Sequence, residues 1–320
     1  MSRAPLTLFA LQGSCEFARE VAGRLDVPLG PHEEHNFEDG EHKARPLQDV
    51  RGRDVFVLHS LHSDAEESGN DKLCRLLFFC GALKDAGATH VTAVIPYLCY
   101  AQKDRRTKPN DPITTRYIAA MFEAVRVDRV IAFEVHNVAA FENAFRFPTW
   151  HIESAPLFAT YFAQLLGGER VVAVSPDTGG AKRTERFRQE LELLTCQNVS
   201  EAYMEKYRTC GVVSGQLLIG EVRGKVAVII DDLISTGGTV VRAAKACRAA
   251  GATRVFAAVT HGLFVGGAAD LFATQEIDAI AVTNTVPPFR VPPAVATHRL
   301  TIIDASQSIA RAISAWHDEG

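Results

Sequence analysis

The run Val226-Ala227-Val228-Ile229-Ile230-Asp231-Asp232-Leu233-Ile234-Ser235-Thr236-Gly237-Gly238-Thr239 holds the residues best suited to chemistry. An all-apolar strand ends in two carboxylates, Asp231 and Asp232, and a loop of glycine and small hydroxyl residues then opens a helix. Backbone N–H groups of such a loop, together with the positive end of the following helix, bind a phosphate monoester, and glycines let the backbone come close to it. Ser235, Thr236 and Thr239 add hydroxyl donors around Gly237 and Gly238. Carboxylates beside a phosphate would repel it, so the acidic pair points to sugar hydroxyls or a metal next door, at the strand end where α/β sheets bind ligands. A plain strand-turn-helix with an acidic N-cap would need neither two acids nor so many small residues.

Three further places carry reactive side chains, and each has a plainer reading. His136 follows the apolar run 130–135, where a histidine is more often hydrogen-bonded structure than a metal ligand. Asp177 precedes Gly179-Gly180 and could be a simple turn acid. Lys103-Asp104-Arg105-Arg106 by itself reads as a solvated charge run.

The elements that must position these residues alternate. Short β-rich runs at 6–11, 55–59, 91–96 and 130–133 are interleaved with helix-period stretches at 17–25, 72–86 and 113–125. A second series repeats the order, with strands at 171–174, 226–230, 255–259 and 279–282 and helices from Thr184 and over 239–250. Such alternation is the signature of βαβ units and a largely parallel sheet. Ala86-Gly87-Ala88-Thr89-His90-Val91 and Ala250-Gly251-Ala252-Thr253-Arg254-Val255 are alike, each closing a helix and opening a strand. The common order of elements on either side favours two related halves over a chance loop.

Composition narrows the class. A chain of 320 residues with 47% apolar content can bury one large or two medium α/β cores. The formal net charge of -4 argues against a nucleic-acid or membrane-surface partner. Cys15, Cys74, Cys80, Cys99, Cys196, Cys210 and Cys247 are scattered, with no CxxC pair, which argues against a disulfide framework or structural zinc and for reduced thiols. The first apolar stretch is too short for a secretory signal and no later run reaches the length of a membrane span, so a soluble cytoplasmic protein is expected.

The Asp231–Thr239 loop resembles the phosphoribosyl-diphosphate loop of the type I phosphoribosyltransferase fold. Four other stretches are similar to the ribose-phosphate diphosphokinases, the phosphoribosyl pyrophosphate synthetases of that fold. They are Asn36-Phe37-Glu38-Asp39-Gly40-Glu41, Ile95-Pro96-Tyr97-Leu98-Cys99-Tyr100-Ala101-Gln102-Lys103-Asp104-Arg105-Arg106, His136, and Ser175-Pro176-Asp177-Thr178-Gly179-Gly180-Ala181-Lys182-Arg183. The likeness also takes in Val50-Arg51-Gly52-Arg53-Asp54-Val55-Phe56 and runs in order over nearly the whole chain. It implies two tandem α/β domains, 1–148 and 149–320, each a mainly parallel sheet flanked by helices, with the last helix free to pack back on the first domain. It further implies transfer of the β,γ-pyrophosphoryl group of ATP to the 1-hydroxyl of ribose 5-phosphate, with Mg2+ as cofactor. By the same resemblance, ATP would meet Phe37, Asp39, Glu41, Gln102, Lys103 and Asp104. Ribose 5-phosphate would meet Asp231, Asp232, Ser235, Thr236, Gly237, Gly238 and Thr239, the metals would meet His136 and Asp177, and Lys206 and Arg208 would be the catalytic cations of a flexible loop. A homo-oligomer, dimer or hexamer, is implied because the family's ATP site borrows from a neighbouring subunit.

The sequence also departs from the pattern. Most family members read Tyr-Ala-Arg-Gln-Asp-Arg where this chain has Tyr100-Ala101-Gln102-Lys103-Asp104-Arg105, and bacterial and animal members tend to carry Asp where Ser235 stands. Asn137-Val138-Ala139-Ala140-Phe141 replaces the polar segment tied to ADP and phosphate regulation. Two alternatives stay open at this point: a phosphoribosyltransferase that consumes the activated ribose, and a catalytically silent regulatory homologue.

Overall fold

Strands buried on both faces read as unbroken apolar runs, and parallel sheets are the usual place for them. A computed structural model, describing residues 4–209, 212–266 and 268–319, shows two such sheets, each in its own unit. The side chains of residues 206–209, 212–216, 269 and 319 fall outside the description.

The first unit comprises residues up to Ile152 together with the segment from Ala305. Its order is β1 (Leu6–Ala10), α1 (Cys15–Leu25), β2 (His32–Asn36), β3 (His42–Pro46), β4 (Asp54–Leu58), α2 (Gly69–Asp85), β5 (His90–Ile95), α3 (Thr114–Ala124), β6 (Arg129–Phe133), α4 (Val138–Ala144) and β7 (Thr149–Ile152). The parallel sheet runs β1-β4-β5-β6-β7, and β2 and β3 form a separate antiparallel hairpin. Phe9, Val57, Phe79, Leu83 and Phe122 lie in its core.

The second unit spans Glu153–Asp304. It continues with α5 (Ala155–Leu166), β8 (Val171–Ser175), α6 (Ala181–Thr195), β9 (Ser200–Thr209), β10 (Val212–Ile219), β11 (Val226–Ile234), α7 (Gly238–Ala249), β12 (Arg254–Gly262), α8 (Ala268–Ala273), β13 (Ala279–Thr283), α9 (Pro293–Arg299) and β14 (Leu300–Ile303). Its sheet order is β10-β9-β8-β11-β12-β13-β14, parallel except for β10. Alternate residues of β11 feed two cores. Ala227 and Ile229 pack with Val240 and Ala244 of α7, whereas Val228 and Ile230 pack with Phe158, Phe162 and Phe187 of α5 and α6. Helices on both faces therefore fix the strand that carries the acids.

The two AGAT segments are wired alike. Gly52 and Gly224 donate to the carbonyls of Gly87 and Gly251 at 3.1 and 2.9 Å, and those two glycines have φ of 89° and 91°. Val91 and Val255 donate their N–H to the carboxylates of Asp128 and Asp278 at 2.7 and 2.6 Å. A chance loop would not reproduce this set of partners, so the halves share one plan.

The join differs from the expected 148/149. Strand β7 begins at Thr149 and completes the first sheet through pairs such as Ile131–Trp150, so the division falls after Ile152. The last helix, α10 (Ser306–Glu319), belongs to the first unit. Arg129 anchors it, bonding Asp54 and the Trp316 carbonyl and lying 5.6 Å from the Trp316 ring. His317 Nδ1 meets Asp54 Oδ2 at 3.0 Å, and the Trp150 and Trp316 rings meet edge-on at 5.6 Å. Trp316→Ala should therefore cost the first unit about 3 kcal/mol, read as a shift of its urea transition.

Cys15, Cys74, Cys80, Cys99, Cys196 and Cys247 are free thiols. Burial raises the Cys99 and Cys247 thiols to about 12, which keeps them protonated and inert. Among the described residues no helix is long and apolar enough to cross a membrane.

Candidate active site

Strand β11 does not stop at Ile230 but carries on through both acids, with Asp231 opposite Val259 and Leu233 opposite His261 of β12. Asp232 is buried and Asp231 half-buried, and the Asp232 N–H donates to Asp231 Oδ1 at 2.9 Å. Burial first, and then the neighbouring Asp232 charge, pushes the Asp231 carboxyl well above the usual carboxylate range. Arg183 opposes that shift, its Nη1 lying 3.4 Å from Asp232 Oδ1 and 3.7 Å from Asp231 Oδ1.

The loop that follows is shaped for close approach. Gly237 is the N-cap of α7 with φ of 80°, and a Cβ there would lie 2.9 Å from Leu271 Cβ, so only glycine fits. Ser235 and Thr236 are exposed and Thr239 half-buried, around a helix start whose first turn carries no acid. The positive end of α7 is thus open to an anion. Arg242, one turn in, donates from Nη2 to Thr239 Oγ1 at 3.2 Å and adds a cation to this rim.

On the same sheet, β8 ends at Ser175 and the turn before α6 holds Asp177. Asp177 Oδ1 accepts from the N–H groups of Gly179 at 2.9 Å and Gly180 at 3.1 Å, and Ser175 Oγ donates to the Asp177 carbonyl at 2.6 Å. Oδ1 is thereby committed to the turn, so ligation through Asp177 would use Oδ2. Arg183, in the first turn of α6, connects this turn with the acidic pair. Lys206 and Arg208 belong to β9, in a hairpin with backbone partners Gln216 and Val213 on β10. The expected loop is a strand at both positions, and their side chains lie outside the described residues.

The other expected residues belong to the first unit. Phe37, Asp39 and Glu41 form the tip of the β2–β3 hairpin: Phe37 N–H donates to the Glu41 carbonyl at 2.8 Å, and Glu41 N–H donates to Asp39 Oδ1 at 3.1 Å. The Phe37 ring is 45% exposed and meets His35 edge-on, leaving a face for a flat ligand. Gln102 is exposed, while Lys103 Nζ is held by Asp111 Oδ2 at 2.7 Å and Thr107 Oγ1 at 3.0 Å. Asp104 is drawn to the segment of exposed His136, because Asn137 Nδ2 donates to Asp104 Oδ2 at 2.6 Å while Asn137 caps α4. His136 and Asp177 belong to different units.

The first unit has no counterpart of the acidic pair after β4. His59 and Ser60 stand there, and the loop is closed by its own ions. Fully buried Lys72 reaches Asp64 Oδ2 at 2.5 Å, and Arg75 pairs with Glu67 at 2.5 Å and Glu34 at 3.3 Å. Burial pushes the Asp64 carboxyl up, but the bond from Lys72 and those from the Glu67 and Glu66 N–H groups outweigh it and bring it to about 2. The stability this lends is present above the ordinary carboxylate range and should be lost as pH falls towards about 2. Asp64→Ala, which leaves Lys72 buried and unpaired, should cost about 3 kcal/mol at neutral pH in chemical denaturation.

Sequence reasoning missed Arg183, Arg242 and Asp111. Arg183 carried a signal as the last residue of the Ser175–Arg183 stretch, whereas the other two are set by contacts that spacing does not display. Comparison with known proteins bears on the whole arrangement. Residues 6–125 match the N-terminal domain of ribose phosphate pyrophosphokinase, and residues 171–320 match the phosphoribosyl synthetase-associated domain. Ribose-phosphate pyrophosphokinase 1 of Streptococcus pyogenes is 35% identical over 320 residues, covering 100% of this chain and 97% of that protein.

The chain belongs to the ribose-phosphate pyrophosphokinase family.

The corresponding protein of Streptococcus agalactiae is 37% identical over 287 residues, covering 89% of this chain and 87% of its own length. The crystal structure of phosphoribosylpyrophosphate synthetase from Mycobacterium smegmatis matches with a TM-score of 0.88 at 30% identity, covering 99% of this chain and 100% of that one. The family's two-unit α/β plan therefore extends over this whole chain.

Proposed function

We propose that the protein moves the β,γ-pyrophosphoryl group of ATP to the 1-hydroxyl of ribose 5-phosphate, giving 5-phosphoribosyl 1-diphosphate and AMP. The observation that carries this reading is the buried strand β11, which delivers Asp231 and Asp232 beside an open, glycine-built helix start. The 5-phosphate sits on the Ser235–Thr239 loop, and the 2- and 3-hydroxyls donate to the two aspartates. Ribose is thereby gripped at both ends and its 1-hydroxyl is held in one orientation, which removes much of the entropic barrier. That oxygen attacks the β-phosphorus in line. The bond from the β-phosphorus to the bridging oxygen breaks, AMP leaves with that oxygen, and the hydroxyl proton passes to solvent.

ATP stacks its base on the exposed Phe37 ring, with Asp39 and Glu41 on its ribose and Gln102, Lys103 and Asp104 along the phosphates. Lys103 must exchange Asp111 for phosphate oxygens, a like-for-like trade of anions. Lys206 and Arg208 supply cations to the charge that spreads over the equatorial oxygens.

Mg2+ is the implied cofactor, and the donors suit it: adjacent carboxylates on a strand end are the hard oxygen ligands Mg2+ shares with substrate oxygens. When bound, one Mg2+ would neutralise triphosphate charge with help from His136, and a second, near Asp177 and the ribose hydroxyls, would neutralise charge on the ribose side. Among the described residues no three His, Cys, Asp or Glu side chains converge into a closed cage. A cytoplasmic homo-oligomer, dimer or hexamer, completes the proposal.

The test is an incubation with ribose 5-phosphate and MgATP but no nucleobase. AMP should appear only when both substrates are present. No AMP under these conditions, or turnover only when a base and phosphoribosyl diphosphate are supplied, would reject the reading.

A further inference from the structure

We propose that Arg183 is a resident counter-ion of the Asp231–Asp232 pair, one that a divalent cation must displace and that then turns to the pyrophosphoryl group. This deepens the function proposed above and rests on it. The side chain is confined: it is 10% exposed, its Nη1 lies 3.4 and 3.7 Å from oxygens of the two aspartates, and a Cβ on Gly180 would come within 3.6 Å of the same nitrogen. It stands in the first turn of α6, a helix of 15 residues whose first turn carries no acid. A fixed cation is disfavoured at the positive end of a helix, so the acidic pair is what compensates it in that place.

A guanidinium cannot shed its charge by losing a proton. It and a divalent cation therefore compete for one set of carboxylate oxygens, and the apparent affinity of the cation falls by the fraction of sites in which Arg183 has swung away. Once released, Arg183 keeps its planar fork for phosphate oxygens, beside the Asp177–Gly180 turn. Without Arg183 the two carboxylates would repel each other in a site with no ligand, and with it the cation is admitted when an anion arrives to take the guanidinium.

The experiment uses the full chain without nucleotide. Binding of Mn2+ alone, followed by the electron paramagnetic resonance of the free ion, should be on the order of tenfold tighter in Arg183→Met than in wild type. Binding of inorganic pyrophosphate without metal, measured by equilibrium dialysis, should be weaker by a similar factor. Arg183→Lys retains a cation in the same space, is the variant to use if the methionine protein does not fold, and should lie between the two. An arginine that only braces the fold would not tighten Mn2+ binding, so unchanged or weaker Mn2+ affinity in the folded variants overturns the proposal. AMP formation by the wild type is scored separately. Its absence defeats the functional reading, whereas its presence with unchanged Mn2+ affinity defeats only the role given to Arg183.

Discussion

Asp231→Asn and Asp232→Asn should each lower AMP formation by at least about a hundredfold, while Asp231→Asn melts at a higher temperature than the parent at pH 7.5. Asn keeps the shape and can still meet a hydroxyl, but it loses the charge that a ribose hydroxyl and a cation require together. The gain in stability has a definite sign. Burial and the Asp232 charge raise the Asp231 carboxyl well above its ordinary value, so the folded protein disfavours its ionisation. The stability connected with the protonated form is present below the ordinary carboxylate range and is lost as pH rises through the raised value. At neutral pH the wild type bears that cost and the amide does not, worth a rise of about 2–4 °C per kcal/mol relieved. The advantage should vanish near pH 4, where Asp231 is protonated in the fold. Scanning calorimetry at both pH values checks it: an equal difference at both would mean that the charge pair is not its source.

Lys206→Ala and Arg208→Ala carry the other large effect. Cations that reach the transferring group are worth about 10³-fold or more in turnover, and truncating them should leave the melting temperature within about a degree. Both residues sit on β9, paired to Gln216 and Val213, so the ribbon backbone has hydrogen-bond partners that alanine does not disturb. Steady-state AMP release decides the matter. Near-normal rates in both variants would move the catalytic cations elsewhere, and Arg183 or Arg242 would be the next to examine.

The parts legible in the sequence are those whose physics is local. Strands β1, β4, β5, β6, β8, β11, β12 and β13 announce themselves because burial on both faces demands continuous apolar runs, and the AGAT turns do so because a glycine at positive φ must end each helix. The hairpin β2–β3, with sequences HEEHN and HKARP, shows neither apolar alternation nor β-rich composition, so only the pairing itself reveals it. Strands β7 and β14 have four residues each, too few to display a period, and the first sets the true end of the first sheet. The helix α10 could be foreseen as an element free to pack back, but the Arg129–Asp54–His317 clamp joins residues far apart in the chain.

The site divides in the same way. Gly237 could be recognised as a phosphate-loop glycine, yet the Leu271 side chain that forbids any other residue there is a tertiary fact. Likewise Lys103 reads as a solvated charge until Asp111 and Thr107 are seen to hold it, and Asp104 as surface until Asn137 draws it to the His136 segment. The resemblance supplied roles for these residues. Their partners, which decide how each charge is stored before substrate arrives, follow from the fold.

In the proposed reaction the pyrophosphoryl group moves intact, with attack on the β-phosphorus. Phosphorus NMR of the protein mixed with ATP, Mg2+ and ribose 5-phosphate addresses it directly. AMP and 5-phosphoribosyl 1-diphosphate should grow in equal amounts, with no ADP formed. Growth of ADP with a ribose bisphosphate, or no change in the ATP resonances, would contradict it.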